Sequence, residues 1–247
     1  MPDRVQLKQE ARGILNVARV SPYLFTFMLM GLLAAINGLD AFVSGSYAET
    51  LRLYMPREAL PAELLRAPAV PAVISTFVGV LVMLVGAVLR AGYSLYHLGI
   101  RDGRTMPYST VWSCFSIAGR VILLAVVETV LIALWFMLFI LPGIVAAYRY
   151  RFAVLNLLED PELGVWDALR MSKAQTYGYK LDLFLLDLSF LGWMILCLLT
   201  FGVLYVWIGP YISQTNVCAF RAVKRATGVG SFPEEPSDVP PDGGFSV

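Results

Sequence analysis

The sequence predicts an all-α protein, a polytopic membrane helix bundle with six transmembrane helices. Three observations lead to this prediction. Apolar runs of about the 20 residues that a bilayer core requires recur along the chain. Hydrophobic residues make up 58% of the chain and charged residues only 15%, against about 25% charged in average soluble domains. Lysine and arginine collect in alternate segments between the apolar runs, as they do in multi-pass proteins.

The chain divides into three parts. Residues 1–20 are expected to form an amphipathic interfacial segment, 21–226 the six-helix membrane domain, and 227–247 a disordered tail. The six spans are predicted at about residues 22–43, 69–89, 117–141, 143–158, 180–199 and 203–220. The polar stretch 44–68 predicts one or two short helices on the membrane surface.

The N-terminal segment places its apolar side chains roughly on one side of a helix, with Lys8, Arg12 and Arg19 beside them. This pattern favours a helix that lies on an anionic leaflet, where each nearby basic residue contributes about 1 kcal/mol. A solvated leader with helical tendency is the alternative.

Local signals mark two further boundaries. The Pro-Gly dipeptide at 142–143 is expected to separate the third and fourth spans. Asp160 and Pro161 suit the N-cap and first position of a short cytoplasmic helix over residues 162–177, between spans four and five. Gly178 suits the residue that ends this helix.

The basic residues set the topology. One side of the predicted membrane receives Arg4, Lys8, Arg12, Arg19, Arg90, Arg101, Arg104, Arg170, Lys173, Lys180, Arg221, Lys224 and Arg225. The other side receives only Arg52, Arg57 and Arg66. This asymmetry predicts both termini in the cytoplasm of a bacterial cell, with the bundle in the cytoplasmic membrane. Five spans would result if residues 143–158 lay along the interface or re-entered the membrane. Tyr93, Tyr96 and His97 predict an interfacial belt.

Ionisable side chains inside predicted spans need partners or water. Counted at 1.5 Å per residue from the cytoplasmic ends, Arg151 lies at the depth of Asp187, and Arg149 near that of Glu128. Arg149 and Arg151 point about 200° apart on a helix, so two separate ion pairs are predicted. The complete predicted cluster comprises Glu128, Arg149, Arg151, Asp187, Gln214 and Asn216.

Two interpretations of this cluster stay open. It could line a water-accessible cavity that binds a ligand or relays ions, or it could join helices to one another. The two arginines could also extend to the interface. A second candidate surface is one side of the cytoplasmic helix, which carries Trp166, Arg170, Lys173 and Tyr177 and is expected to dock on headgroups or on a partner protein.

The sequence does not favour metal, cofactor or nucleic-acid chemistry. The three cysteines share no CxxC spacing and are interpreted as small apolar residues, and His97 is the only histidine. Phosphate-loop, GxGxxG, HExxH and GxSxG motifs are absent from the sequence. The formal net charge is only +1, so no nucleic-acid partner is predicted.

Several motifs carry a family resemblance. They are LPGI at 141–144, YRY at 148–150, Asp160-Pro161, Ala168-Leu169 with Ser172-Lys173, Gly178 with Lys180, LDLSFLGW at 186–193, and Pro210-Tyr211. With these motifs the chain resembles the bacterial membrane proteins grouped as domain of unknown function 975, and AGYSLYHLGIRDG at 91–103 resembles the segment before that family's third span. Tyr179 and Asp182 depart from the pattern, which commonly has a histidine and a basic residue there. The family has no assigned activity. It is distantly similar to the membrane-anchor domain of some glycerophosphodiester phosphodiesterases, which implies a lipid-proximal role.

The function predicted from the sequence is therefore a non-enzymatic integral membrane protein that acts as a scaffold or a regulatory, lipid-proximal partner. Its expected partners are membrane lipids and a membrane protein. The alternative is a small transporter, channel or lipid-handling protein that uses the buried Arg/Asp/Glu cluster.

Overall fold

The computed structural model describes residues 3–44 and 71–230, and this part of the chain is helical and contains no strand. The helices are α1 (Arg4–Val17), α2 (Pro22–Ser44), α3 (Ala72–Arg101), α4 (Thr110–Ser113), α5 (Ala118–Leu138), α6 (Ile140–Tyr150), α7 (Ala153–Glu159), α8 (Val165–Gln175), α9 (Lys180–Leu188), α10 (Leu191–Leu199) and α11 (Tyr205–Thr227). The all-α prediction is confirmed. The predicted surface helices at 45–68 and the predicted disordered tail beyond residue 230 lie outside the described residues.

Four helical segments of the described residues are long and apolar enough to cross a membrane: Pro22–Ser44, Val73–Arg101, Thr110–Leu138 and Lys180–Leu199. They correspond to predicted spans one, two, three and five. The count of six is not confirmed, because the predicted fourth span is divided between the short helices α6 and α7. The predicted sixth span lies in α11, whose second half carries Arg221, Lys224 and Arg225.

The chain reverses between α5 and α6 at Phe139, where the backbone is extended, with φ −160° and ψ 153°. The predicted break at 142–143 is therefore three residues too late. Pro142 lies in the first turn of α6, where backbone N–H groups have no partner within the helix. A proline is tolerated there, so it continues the new helix rather than ending the old one.

Helix α1 is amphipathic, as predicted, and its apolar face packs on the protein itself. Leu7, Ala11 and Leu15 are buried, and α1 lies mainly against α11. On its outer side the Lys8 ammonium lies 4.1 Å from the centre of the Phe190 ring. Burial, together with nearby Arg12 and Arg4, lowers the pKa of Lys8. Whether the outer side lies on a leaflet stays a prediction.

The predicted interfacial belt is wrong, because its three side chains are buried. Tyr96 stacks on Phe25 of α2 with ring centres 4.3 Å apart, and its hydroxyl donates to the Val20 carbonyl at 2.8 Å. The Tyr93 hydroxyl shares a 2.9 Å hydrogen bond with Thr26, and His97 is completely buried. Both tyrosine hydroxyls find a protein partner, so these rings can fill the core between α2 and α3 instead of facing headgroups.

The helix predicted between spans four and five is shorter than expected. Helix α8 is preceded by Gly164, not by Asp160, as its N-cap. The Asp160 carboxylate instead accepts the Glu162 N–H at 3.1 Å, in the turn before the helix. Gly178, with φ 84°, forms the turn that follows α8, and this left-handed conformation favours glycine.

Gly92 brings α3 into backbone contact with α4. A Cβ at this position would lie 2.5 to 2.9 Å from the O, Cα and C atoms of Val111. These are backbone atoms, so a side chain at residue 92 must push the two segments apart.

We therefore expect Gly92→Ala to lower the free energy of unfolding by about 1–3 kcal/mol, the usual range for overpacking. The matched control is Gly31→Ala in α2, where an added Cβ has no atom within 4 Å. This control should be neutral, or stabilising by about 0.5–1 kcal/mol. Unfolding by sodium dodecyl sulfate in mixed micelles, followed by circular dichroism, measures both. Equal effects at the two positions would contradict the close approach.

Candidate functional site

The site is organised around a break between α6 and α7, at Arg151 and Phe152. Side chains of α8 satisfy the backbone groups that the break releases. The Ser172 hydroxyl accepts the Phe152 N–H at 3.1 Å and donates to the Arg149 carbonyl at 2.9 Å. The Thr176 hydroxyl donates to the same carbonyl at 3.3 Å. Buried backbone groups without a partner are costly, so these hydrogen bonds allow the helix to break here.

A pair of buried amides fixes α7 to α8 below the break. Asn156 and Gln175 are almost fully buried, and each donates to the other's side-chain oxygen at 2.9 Å. Gln175 also donates to the Val229 carbonyl at 3.2 Å. Two reciprocal hydrogen bonds leave neither amide unsatisfied, so the polar pair specifies how the two helices meet.

At the break, the side chain of Arg151 extends toward α9 and α11. Its guanidinium forms an ion pair with Asp187 of α9, with a second hydrogen bond to the same carboxylate at 2.7 Å, and it also donates to Asn216 of α11. The Tyr148 hydroxyl donates to Asp187 at 2.8 Å. The predicted contact between Arg151 and Asp187 is present, and it joins α6, α9 and α11.

The predicted pair of Arg149 and Glu128 is wrong. Among the described residues no carboxylate lies within 4 Å of Arg149, whose guanidinium carbon instead lies 6.0 Å from the centre of the Trp135 ring. Glu128 of α5 is partly buried and takes part in no ion pair within the described residues. Equal depth did not bring these side chains together, because α6 turns Arg149 toward the ring.

Gln214 joins a different polar group from Asn216. Its side-chain oxygen lies 2.9 Å from Nδ1 of His97, and both side chains are completely buried. Nε2 of His97 and Nε2 of Gln214 have no hydrogen-bond partner. Gln214 and Asn216 are two residues apart on α11 and so point to different sides of the helix.

A cavity of about 360 Å³ lies between α3, α5, the break and α11. Its polar lining comes from Arg90, Ser94, His97, Arg151, Ser213 and Asn216. Small and apolar residues of α3, α5 and α11, with Phe152, Val154 and Leu155, complete the wall. The cavity reaches Arg151, but its lining does not include Arg149 or Glu128.

Ion pairs join the ends of several helices outside this cavity. Arg221 of α11 pairs with Asp102 at 2.8 Å and also with Glu159 at the end of α7, and Glu159 also pairs with Lys224. Arg101 pairs with Glu10 of α1 at 2.6 Å. Arg101, Arg221 and Lys224, three of the basic residues predicted for the cytoplasmic side, take part in these ion pairs, which together form an ionic layer.

The second predicted surface, on α8, is exposed. Trp166 is 60% exposed and Tyr177, two residues after the helix, is 80% exposed. Arg170 and Lys173 are exposed on the same side, and Arg170 pairs only weakly with Asp167, at 3.6 Å. The opposite side of α8 is buried against the protein.

Sequence reasoning missed Tyr148, Arg90, Ser94 and the polar role of His97. Tyr148 precedes Arg151 by three residues and therefore lies on the same side of the chain. Arg90, Ser94 and His97 recur at intervals of four and three, which places them on one side of α3. This periodicity was a readable signal for a polar stripe facing the bundle. Within residues 3–44 and 71–230, no three His, Cys, Asp or Glu side chains are grouped to hold a metal ion.

The helices and the ion pairs that join them define a class of all-helical protein whose long apolar helices suit a membrane. Within that class, residues 117–227 match the family model described as "Protein of unknown function (DUF975)". The family resemblance predicted from the sequence is therefore confirmed over this region, and the stretch at 91–103 lies outside it. No curated protein and no solved structure matches the chain.

Proposed function

We propose that the protein is a non-enzymatic integral membrane protein of the bacterial cytoplasmic membrane, with both termini in the cytoplasm, that acts as a lipid-proximal scaffold or regulatory partner. One observation carries the proposal: the exposed side of α8 combines two aromatic and two basic side chains. This composition is typical of surfaces that contact anionic headgroups.

Unburied apolar surface supports the membrane location. In the four candidate spans, only 11% to 17% of the residues in each apolar stretch are buried inside the protein. Helix α10 buries none of its residues. Soluble monomers rarely expose contiguous apolar patches larger than a few hundred Å². Acyl chains would cover these faces.

The position of α8 supports contact with headgroups. The helix precedes the candidate span Lys180–Leu199 by one short turn, so Tyr177 lies close to the point where the chain enters that span. The polar groups below it are engaged with one another, because Asp187 accepts from both Arg151 and Tyr148. A structural role fits such a paired cluster better than acid–base chemistry does.

The α8 surface is tested by hydrogen–deuterium exchange of the full chain in nanodiscs. We expect lower deuterium uptake across residues 164–180 in phosphatidylglycerol than in phosphatidylcholine. Arg170→Glu combined with Lys173→Glu should abolish the difference, since each basic residue near an anionic surface contributes about 1 kcal/mol.

Arg104→Glu combined with Arg225→Glu is the matched control, because both arginines are exposed and lie outside α8. This variant has the same net charge and should retain the lipid-dependent protection. Equal uptake of the unmodified protein in the two lipids would overturn headgroup docking. Loss of a membrane-protein partner in pull-downs of the α8 variant, without any lipid effect, would assign the surface to protein contact instead.

A second candidate function, the handling of a polar solute or a lipid, is favoured by the cavity. It reaches Arg151, and it is bounded by a broken helix of the kind that lines binding sites in membrane proteins.

A further inference from the structure

The cavity carries more positive charge than its ion pairs balance. Arg90 and Arg151 both line it. Asp187 balances Arg151, whereas no carboxylate of the described residues lies within 4 Å of Arg90. An anion entering the cavity would therefore meet a guanidinium that has no carboxylate partner among the described residues.

Two buried nitrogens, one of them on a residue of the cavity lining, lack partners. Nε2 of His97 and Nε2 of Gln214 make no hydrogen bond, although both side chains are completely buried. Most buried polar atoms in proteins are satisfied, so each exception requires an explanation. His97 lines the cavity, and a ligand with oxygen atoms and hydroxyl groups would satisfy it.

The hydroxyl and amide groups complete a site suited to an oxyanion. Ser94 follows Arg90 by one helical turn, and Ser213 and Asn216 face them from α11. Asn216 accepts from Arg151, which holds that guanidinium in place at the cavity wall. The paired N–H groups of an arginine guanidinium, together with hydroxyl groups, commonly bind phosphate.

We propose that this cavity binds a phosphate group, carried either by the headgroup of an anionic phospholipid or by a free phosphate. Arg90 provides the charge, the Ser213 hydroxyl and the Asn216 side-chain amide donate hydrogen bonds, and His97 contacts a hydroxyl of the ligand. The Ser94 hydroxyl donates to the Arg90 carbonyl at 3.1 Å, so only its oxygen faces the site as an acceptor. The volume of about 360 Å³ is at the small end of ligand pockets, which suits a headgroup or phosphate ester. This deepens the second candidate function, on which it rests, by naming the ligand class.

We expect the site to be reached from the headgroup layer at the Arg101 end of α3. Arg90 follows the apolar first part of α3, and Arg101 of the same helix lies in the ionic layer. A phospholipid could therefore keep its chains against the outer apolar faces while its phosphate enters between α3 and α11.

The test measures binding to the purified full chain in neutral detergent by microscale thermophoresis. The probes are short-chain phosphatidylglycerol, short-chain phosphatidylcholine and inorganic phosphate. Arg90→Gln should weaken binding of the preferred probe about tenfold, as expected for one charge-assisted hydrogen bond. Ala125→Phe, which fills the cavity without changing charge, should weaken it at least as much.

Arg104→Gln is the matched control, since it removes an equally exposed arginine that does not line the cavity. It should change affinity less than twofold. Phosphatidylglycerol binding above phosphatidylcholine supports the lipid source, and binding of inorganic phosphate alone supports the free source. Three results would overturn the proposal. The first is that no probe binds, and the second is that the two lipids bind equally while inorganic phosphate does not bind. The third is that Arg90→Gln and Arg104→Gln change the affinity equally.

The α8 variant Arg170→Glu with Lys173→Glu should leave all of these affinities unchanged, because its residues do not line the cavity. Failure of headgroup docking at α8 and failure of the cavity site therefore give different results.

Discussion

Glu159→Gln is expected to lower the free energy of unfolding by about 3 kcal/mol, because it removes a buried carboxylate that two cations share. The side chains of Glu159 and Lys224 are only 11% and 10% exposed, and Arg221 shares the same carboxylate. Glutamine keeps the shape but removes the charge, so the two cations would repel each other at the end of α11. Sodium dodecyl sulfate unfolding of the purified protein, followed by circular dichroism, measures the loss.

Glu162→Gln provides the control for this prediction. Glu162 pairs with Arg120 at 3.4 Å, but its side chain is 88% exposed. Exposed pairs contribute at most about 1 kcal/mol, so the control should have a small effect. A loss at residue 159 no larger than at residue 162 would show that the ionic layer does not stabilise the bundle.

Asp187→Asn should have the next largest effect, a loss of about 2–3 kcal/mol of unfolding free energy, between the values for a hydrogen bond to a charged group and a broken buried ion pair. The estimate lies below that of a fully buried pair because the Asp187 side chain is 36% exposed and that of Arg151 17%. The substitution also removes the charge that the Tyr148 hydroxyl contacts. The same unfolding measurement applies.

Asp182→Asn, on the same helix, is the matched control, because Asp182 forms no ion pair among the described residues. A double-mutant cycle of Asp187→Asn with Arg151→Gln isolates the pair itself. We expect the double variant to lose much less than the sum of the single losses. Additive losses would mean that the two side chains act independently.

The depth of each charged residue in the predicted membrane gave one ion pair correctly and one incorrectly. Arg151 and Asp187 meet because the rise of 1.5 Å per residue placed them at one level and the break after α6 rotated Arg151 toward α9. Arg149 and Glu128 lie at similar predicted depths, but rotation about the helix axis decides contact as much as depth does. The sequence carried no sign that Trp135 would face Arg149.

The aromatic residues of α3 show a second limit of sequence reasoning. Tyr and His after an apolar run are typical of an interfacial belt, and on this basis Tyr93, Tyr96 and His97 were placed at the membrane surface. Their burial depends on Phe25 and Gln214, which come from helices far away in the sequence. A local pattern does not contain that information.

The sequence by itself determined the helical class, the apolar stretches that suit a bilayer, and the amphipathic α1 and α8, because these depend on the period and length of local patterns. Its motifs also indicated the family resemblance over residues 117–227. The tertiary structure alone decided where the fourth predicted span breaks, which cation meets which carboxylate, and that a cavity opens beside Arg90. These features depend on how the helices rotate and on which side chain satisfies a released backbone group, such as Ser172 at Phe152. Contacts between segments that are far apart in the sequence determine both the rotation of the helices and the partner of the backbone group.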